Sequence, residues 1–235
     1  MKKKKVVVLS GAGVSAESGV RTFRDGNGLW ENHRIEDVAT PEAWNRDQEL
    51  VLRFYNQRRK QALEVQPNAA HYAIAELEPF FDVRVVTQNV DNLHERAGST
   101  QVLHLHGELF KARSTKTPSL VYDIEGWELK IGDLCEEGSQ LRPNIVWFGE
   151  EVPMMAPAIE FAEQADIFIV IGTSLVVYPA AGLFRYTRPN TPIYIIDVNR
   201  PDITFKDNMT FIQEKATVGM QQLKDVLISG LENQE

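Results

Sequence analysis

Thiol chemistry is nearly missing from this 235-residue chain, which holds one cysteine, Cys135. An intrachain disulfide is thereby excluded, and such usage fits a reducing, cytoplasmic compartment. Positive charge is also short. Lys and Arg number 25 against 33 Asp and Glu, a net charge of -8 with neutral His. That balance argues against a sequence-independent hold on nucleic-acid phosphates or anionic lipid, so neither nucleic acid nor a membrane is expected as a partner. No run approaches the roughly 18 apolar residues of a membrane span. The lysines at 2 to 5 lead straight into an apolar run, so no signal peptide is expected. Internal repeats and low-complexity tracts are lacking as well.

What remains is ordinary for a soluble globular protein: 43% hydrophobic and 25% charged residues. The length allows one large domain, or a domain with a smaller satellite. Apolar, β-branched runs bounded by turn residues predict strands at Lys5 to Ser10, Val83 to Thr87, Ile145 to Trp147, Ile167 to Ile171 and Ile193 to Val198, with a shorter one at Val102 to Leu105. Continuous runs of this kind suit parallel strands covered on both faces. Helical patterns fall between them at Pro41 to Leu63, Asn68 to Phe80, Met155 to Glu163, Pro179 to Thr187 and Met220 to Gly230. The alternation predicts an α/β fold, a Rossmann-like doubly wound parallel sheet. Two excursions break the βαβ rhythm, and they are read as insertions that build a smaller lobe. The expectation is a single domain over 1–235, with a large lobe from about 1–35, 80–110 and 143–235, and a small lobe from about 36–79 and 111–142.

Three stretches carry chemistry. VVVLSGAGVSAESG runs from a strand into a turn where Gly11, Gly13 and Ala16 fit G-x-G-x-x-[GA], a pattern that lets backbone N–H groups meet a diphosphate. A tight strand-to-helix turn with no ligand reads equally well. No acidic residue follows about 20 positions on, as a dehydrogenase needs for the ribose. Instead comes RTFRDGNGLW, with Arg21, Phe23 and Arg24, either a loop that folds over an anion or a surface loop with an aromatic anchor. TQNVDNLH places Gln88, Asn89 and Asp91 at the carboxyl end of a predicted strand, where amides suit a carboxamide and ribose hydroxyls and a carboxylate can steady positive charge. Alone, the stretch reads as an Asx-rich turn capping a helix from Asn92 to Ala97. HLHGE sets His104 and His106 on one side of a strand, where a neutral imidazole can act as a base or serve as a structural residue.

GAGVSAESG, FRDGNGLW, TQNVDNLH, HLHG, NIVWFGE, GTSL and DVN occur in the order found in sirtuins, the NAD-dependent protein lysine deacylases, and the chain resembles that family from Val6 to about Ala216. The resemblance implies NAD as cofactor and acyl-lysine proteins or peptides as substrate. The acyl group would pass from lysine to ADP-ribose with release of nicotinamide. It implies that Gly11, Ala12, Gly13, Ser15 and Arg24 hold the diphosphate and that Phe23 shields the cleaved ribose. Trp30 and Ala216 are further cofactor contacts. Gln88, Asn89 and Asp91 would hold ribose and nicotinamide, with Asn89, Asp91 and His106 forming the catalytic set and His106 the base. Gly172, Thr173, Ser174 and Asn199 would complete the cofactor contacts. Val146, Trp147, Phe148 and Gly149, in the segment up to Glu150, would receive the substrate peptide by strand addition.

Departures from the family pattern sharpen the reading. Most sirtuins carry a four-cysteine zinc module after the HG motif, whereas here 112–142 holds Cys135 alone and no histidine. Zinc is therefore expected to be absent, with no metal ligands assigned. The lobe is expected to be held instead by Leu120, Val121, Ile124, Trp127, Leu129 and Ile131. Arg21 stands where many sirtuins have Pro. Tyr55 and Arg58, three apart on a helix, are similar to the pair in class III sirtuins that prefer malonyl and succinyl groups, and without the family context they read as an ordinary amphipathic face. Two other functions share these residues: protein mono-ADP-ribosyl transfer, and NAD sensing without turnover.

Overall fold

The computed structural model describes residues 3–20, 29–30 and 33–232. Val6, Val7, Val8 and Leu9 of β1 (Lys5–Ser10) are all 0% exposed, a burial that demands partners on both edges and both faces. Both edges are filled in parallel, by β4 (Asp82–Thr87) with Val83 opposite Val6, and by β9 (Ile167–Ile171) with Ile167 opposite the same residue. Beyond β4 lies β5 (Val102–His104); beyond β9 lie β10 (Ile193–Ile196) and β11 (Met209–Ile212). The resulting parallel order is β11-β10-β9-β1-β4-β5.

Successive side chains of a strand face opposite ways, and β1 shows what each face meets. Val6 and Val8 pack with Ile74 of α5 (Ala69–Ala75) and with Met220 and Leu223 of α8 (Ala216–Glu232). Val7 and Leu9 pack with Ala158 and Ala162 of α7 (Met155–Gln164) and with Leu183 of the 3-10 helix Ala180–Tyr186. Helices on both faces make this the doubly wound α/β sheet that the sequence pattern predicts. The chain winds outward from β1 in both directions, so the carboxyl ends of β1, β4, β9 and β10 meet at the switch point where such sheets bind ligands.

A second body forms on a third core. Strand β6 (Gly107–Ser114) pairs antiparallel with β7 (Val121–Asp123) and β8 (Leu141–Ile145), giving the order β7-β6-β8. Its Leu109, Ala112 and Ile145 are buried with Val38 of α2 (Ile35–Val38), Trp44 of α3 (Pro41–Arg46) and Val51 and Phe54 of α4 (Gln48–Glu64). The short elements α1 (Gly13–Ala16), β2 (Leu29–Trp30), β3 (His33–Arg34) and α6 (Leu93–Arg96) complete the described chain.

Three expectations change here. The run Ile145 to Trp147 is not a strand of the main sheet, because β8 ends at Ile145 and pairs with β6. The single helix expected over Pro41 to Leu63 is two, since Asp47 stops α3 and its carboxylate accepts the Leu50 N–H (2.9 Å) to cap α4. The small lobe does not rest on the six apolar residues proposed for it. Val121, Trp127 and Ile131 are 43%, 38% and 51% exposed, and Leu129 alone of the six is buried. Polar bonds take their place: Asn56 of α4 binds both the N–H and the carbonyl of Leu129 at 3.0 Å, and buried Arg59 donates to the carbonyls of Trp127 (2.7 Å) and Leu109 (3.1 Å). A guanidinium so enclosed loses hydration, and burial lowers its pKa to about 10.

Candidate active site

One cavity of about 890 Å³ runs along the carboxyl ends of the parallel strands and reaches the small lobe. Gly11 and Gly13 line it, but their missing side chains are first a matter of protein packing. A Cβ on Gly11 would lie 2.7 Å from Thr173 Cβ, and one on Gly13 would lie 2.8 Å from Gly172 Cα. The turn after β1 rests directly on the turn after β9, with Gly11 N–H donating to Ile171 (3.0 Å) and Gly13 N–H to Gly172 (2.8 Å).

The turn after β4 joins this pair. Gln88 Nε2 donates to Thr173 Oγ1 at 3.2 Å, and Asn89 Nδ2 reaches the Gly11 carbonyl (3.2 Å) and Ser15 Oγ (3.1 Å). Ser15 Oγ donates to Asp91 Oδ2 at 3.1 Å, while Asp91 Oδ1 accepts the Leu93 N–H at 3.1 Å. Burial pushes the Asp91 carboxyl above its ordinary value against the pull of those two donors. His71 and His94 lie behind this network, ring centroids 4.9 Å apart, and sequence reading assigned neither. His71 Nδ1 accepts the Asn68 N–H (3.2 Å), so Nε2 carries the proton and faces Ser15 Oγ at 3.5 Å. The signal available was the Asn-x-x-His spacing of a capping box at the start of α5.

His106 lines the cavity with its Nδ1 3.0 Å from the Gln88 carbonyl. A carbonyl accepts only, so Nδ1 bears the proton and Nε2 the lone pair. Burial lowers the pKa of this imidazole, which favours the neutral form. His104 differs although it sits two residues away. Burial opposes its charge, yet the Glu95 carboxylate at 2.7 Å raises its pKa overall, and its Nδ1 binds the Asn89 carbonyl at 2.9 Å. It is a structural histidine tied to the loop that carries Asn89.

Of the other sequence-derived residues, Ala12, Gly172, Thr173, Ser174, Asn199 and Ala216 line the same cavity, and Asn199 N–H is held by Asp197 Oδ1 at 2.9 Å. Tyr55 and Arg58 of α4 reach it from the small lobe, with Val146, Trp147 and Phe148. Arg58 is half-buried, its Cζ 5.6 Å from the Phe54 ring centroid, whereas Tyr55 is fully buried and its hydroxyl accepts the Trp147 Nε1–H at 3.0 Å. Burial drives the phenol pKa far above its ordinary value. Gly149 is not in the wall; it forms a turn at φ 91°. Phe23 and Arg24, with Arg21, lie outside the described residues, and so does the side chain of Trp30, whose backbone belongs to β2.

The wall suits a dinucleotide. Its volume lies in the upper part of the range of about 300–1,000 Å³ usual for such ligands, and amides, hydroxyls and the carboxylates of Asp91 and Asp197 stand at the strand ends where ribose hydroxyls, phosphates and a carboxamide need partners. Among the described residues, no group of three or more His, Cys, Asp or Glu is placed to hold a metal ion, and no helix is long and apolar enough to cross a membrane.

Comparison with known proteins agrees with this geometry. A profile described as the Sir2 family matches residues 11–179. A protein named NAD-dependent protein deacylase from Helicobacter pylori is 53% identical over 225 residues, covering 96% of this chain and 98% of its own length. One of the same name from Bacteroides thetaiotaomicron is 52% identical over 230 residues, covering 96% and 98%. A solved Sir2 homologue in complex with NAD superposes with a TM-score of 0.86 at 41% identity, covering 97% of this chain and 91% of the other.

Proposed function

This chain belongs to the Sir2 family and is an NAD-dependent protein deacylase, and from that premise we propose that it removes acidic acyl groups, succinyl and malonyl, as well as acetyl, from lysine. NAD held there would supply a ribose carbon with nicotinamide as its leaving group; one water is consumed as the acyl–lysine C–N bond breaks, and the products would be free lysine, nicotinamide and acyl-ADP-ribose. The chain's own residues prepare that exchange. Gln88, Asn89 and Asp91 orient the nicotinamide ribose, and Asp91 stands where a carboxylate is placed to steady positive charge. The turns at Gly11 to Ser15 and Gly172 to Ser174, with Asn199 and Ala216, hold the remainder of the dinucleotide. His106 Nε2 takes a proton from a ribose hydroxyl. The observation that carries this reading is the fixed tautomer of His106, a neutral imidazole whose free lone pair borders the cavity.

Acyl choice is assigned to Arg58, which lines the same cavity from α4, in a wall that includes Ala39, Leu109, Ile145 and Trp147 together with Gln61 and Glu150. A guanidinium there takes a carboxylate through two parallel bonds. The segment after β8 is the peptide site. Its Val146 and Phe148 amides donate to the His106 and Ala39 carbonyls at 2.9 and 3.0 Å, which ties the segment to the turn after β5 and to the residue that follows α2 along the cavity wall. The two lobes act as one catalytic domain, and the small one works without zinc. Incubation with NAD and acetyl-, malonyl- and succinyl-lysine peptides, followed by mass spectrometry, tests all of this. Free lysine with acyl-ADP-ribose supports the proposal; ADP-ribose left on the peptide would overturn it.

A further inference from the structure

The peptide segment owes its course to side chains more than to a ladder. Arg142, on β8, donates through NH2 to the Ile145 carbonyl (3.0 Å) and to Glu150 Oε2 (3.1 Å), and through NH1 to Glu150 Oε1 (2.7 Å). Its guanidinium carbon lies 3.2 Å from the centroid of the Trp147 ring. Glu150 accepts the Trp147 N–H at 2.8 Å and holds Arg113 at 3.2 Å through both oxygens. At the far edge of the same indole, Nε1 donates to Tyr55. One guanidinium thus grips both ends of the stretch from Ile145 to Glu150 and backs the aromatic ring between them. With a side chain only 9% exposed, it does so away from bulk water.

We propose that Arg142 is a positioning residue for acyl-peptide binding, which by gripping Glu150 and lying on Trp147 fixes the course of Val146–Phe148 and the seat of Tyr55 in the cavity wall. It acts through these neighbours and does not touch substrate. The inference rests on the reading of this segment as the peptide site. Lysine cannot replace the residue, since a point ammonium does not reach a carbonyl, two carboxylate oxygens and a ring face at once. Removal leaves Glu150 held by Arg113 and the Trp147 ring without its backing cation, so the segment keeps its bonds to His106, Ala39 and Tyr55 but loses the grip that joins its two ends, which loosens the peptide without altering the cofactor turns.

The test measures kcat, the KM for acyl peptide, the KM for NAD and the thermal midpoint of full-length Arg142→Lys and Glu150→Gln. Arg142→Lys is expected to raise the peptide KM at least about tenfold while kcat and the NAD KM stay within about twofold, the pattern of lost uniform binding. Glu150→Gln keeps an oxygen for the Trp147 N–H and gives a smaller rise of the same kind; it decides the matter by itself should Arg142→Lys fail to fold. Equal losses in all three constants, or an unchanged peptide KM, would overturn the proposal. Wild-type turnover with unchanged peptide KM in both variants removes the positioning role alone, whereas a wild-type protein inert toward acyl peptides removes the functional reading beneath it.

Discussion

Gly13 and Gly172 occupy each other's side-chain space: the N–H of the first donates to the carbonyl of the second at 2.8 Å, and a Cβ on Gly172 would lie 2.3 Å from Val14 N and 2.6 Å from Gly13 C. Gly172 also has φ 63°, where a side chain costs about 1 kcal/mol before any clash. Gly172→Ala must push apart two backbones that no rotamer change can relieve. The expected outcome is a loss of at least about 2 kcal/mol in denaturant unfolding, with NAD binding by calorimetry abolished or weakened more than tenfold. A variant of wild-type stability and affinity contradicts the packing account.

His106 supplies the second expectation. His106→Ala removes the base, and kcat falls by about 10² to 10⁴ while NAD still binds. Under the proposed role, the wild-type enzyme works with the neutral imidazole. Burial lowers its pKa, so the acid limb of kcat/KM lies below the usual histidine value and activity rises with pH through that limb. A pH profile of kcat/KM checks both the direction and the position.

The sheet was legible because β1 and β9 are uninterrupted apolar runs, a pattern only two-sided burial explains. Strand β6 was not, since Glu108, Lys111 and Arg113 interrupt it and its ladder slips between Gly107 and Ala112. Of the cavity wall, the residues in short motifs at strand ends could be named from sequence, because chemistry there is packed into four or five consecutive positions. Arg142 and His71, which stand behind the wall, were not named. Arg142 acts through Trp147 and Glu150, five and eight residues on, across a bend that no regular period marks, and His71 faces Ser15 from 56 residues away.

Chelation tests the expectation that the small lobe needs no metal. Its backbone is held by Asn56, by Arg59 and by Gln140, whose side-chain nitrogen lies 2.9 to 3.2 Å from the carbonyls of Lys130, Asp133 and Leu141. Excess chelator is expected to leave both thermal midpoint and turnover unchanged, with no stoichiometric zinc by elemental analysis. Arg59→Met should instead unfold the lobe, because it strips donors from two enclosed carbonyls. The expected cost is about 2 to 4 kcal/mol.

Acid stability should follow the buried histidines. Burial lowers His71 to about 4 and His94 well below its ordinary value, so between that pH and about 6.5 the unfolded chain binds protons that the native state refuses. Stability therefore falls as pH drops from 6.5, by about 3 kcal/mol for His71 alone by pH 4. His104, raised overall by Glu95, works in the opposite sense: its contribution is present below about 6.5 and is lost as pH rises through its native value. Two groups outweigh one on the acid side. His71→Gln should flatten the fall of thermal midpoint between pH 7 and 5; an equally steep fall would show that other groups control it.

The proposed acyl preference rests on Arg58. It stands half-buried in a wall that also includes Gln61, Leu109, Trp147 and Glu150, so under the proposed reading a succinyl or malonyl carboxylate would meet it partly sheltered from water. A charge-assisted pair of that kind is worth about 1.5 to 3 kcal/mol, or roughly 10- to 150-fold in kcat/KM. Acetyl-lysine carries no carboxylate and gains nothing from the cation. Arg58→Met is therefore expected to lower kcat/KM for succinyl-lysine at least about tenfold while acetyl-lysine turnover is kept or improved. Tyr55 does not allow so clean a test. Its hydroxyl accepts the Trp147 Nε1–H, so Tyr55→Phe leaves a buried indole donor without its acceptor and lowers the thermal midpoint as well, by a cost of about 1 to 3 kcal/mol. Arg58 is the position at which specificity and stability separate. Equal losses on both peptides in Arg58→Met would mean that the cation supports α4 and does not read the acyl carboxylate, and the assignment of acidic acyl groups would fall while deacylase activity stood.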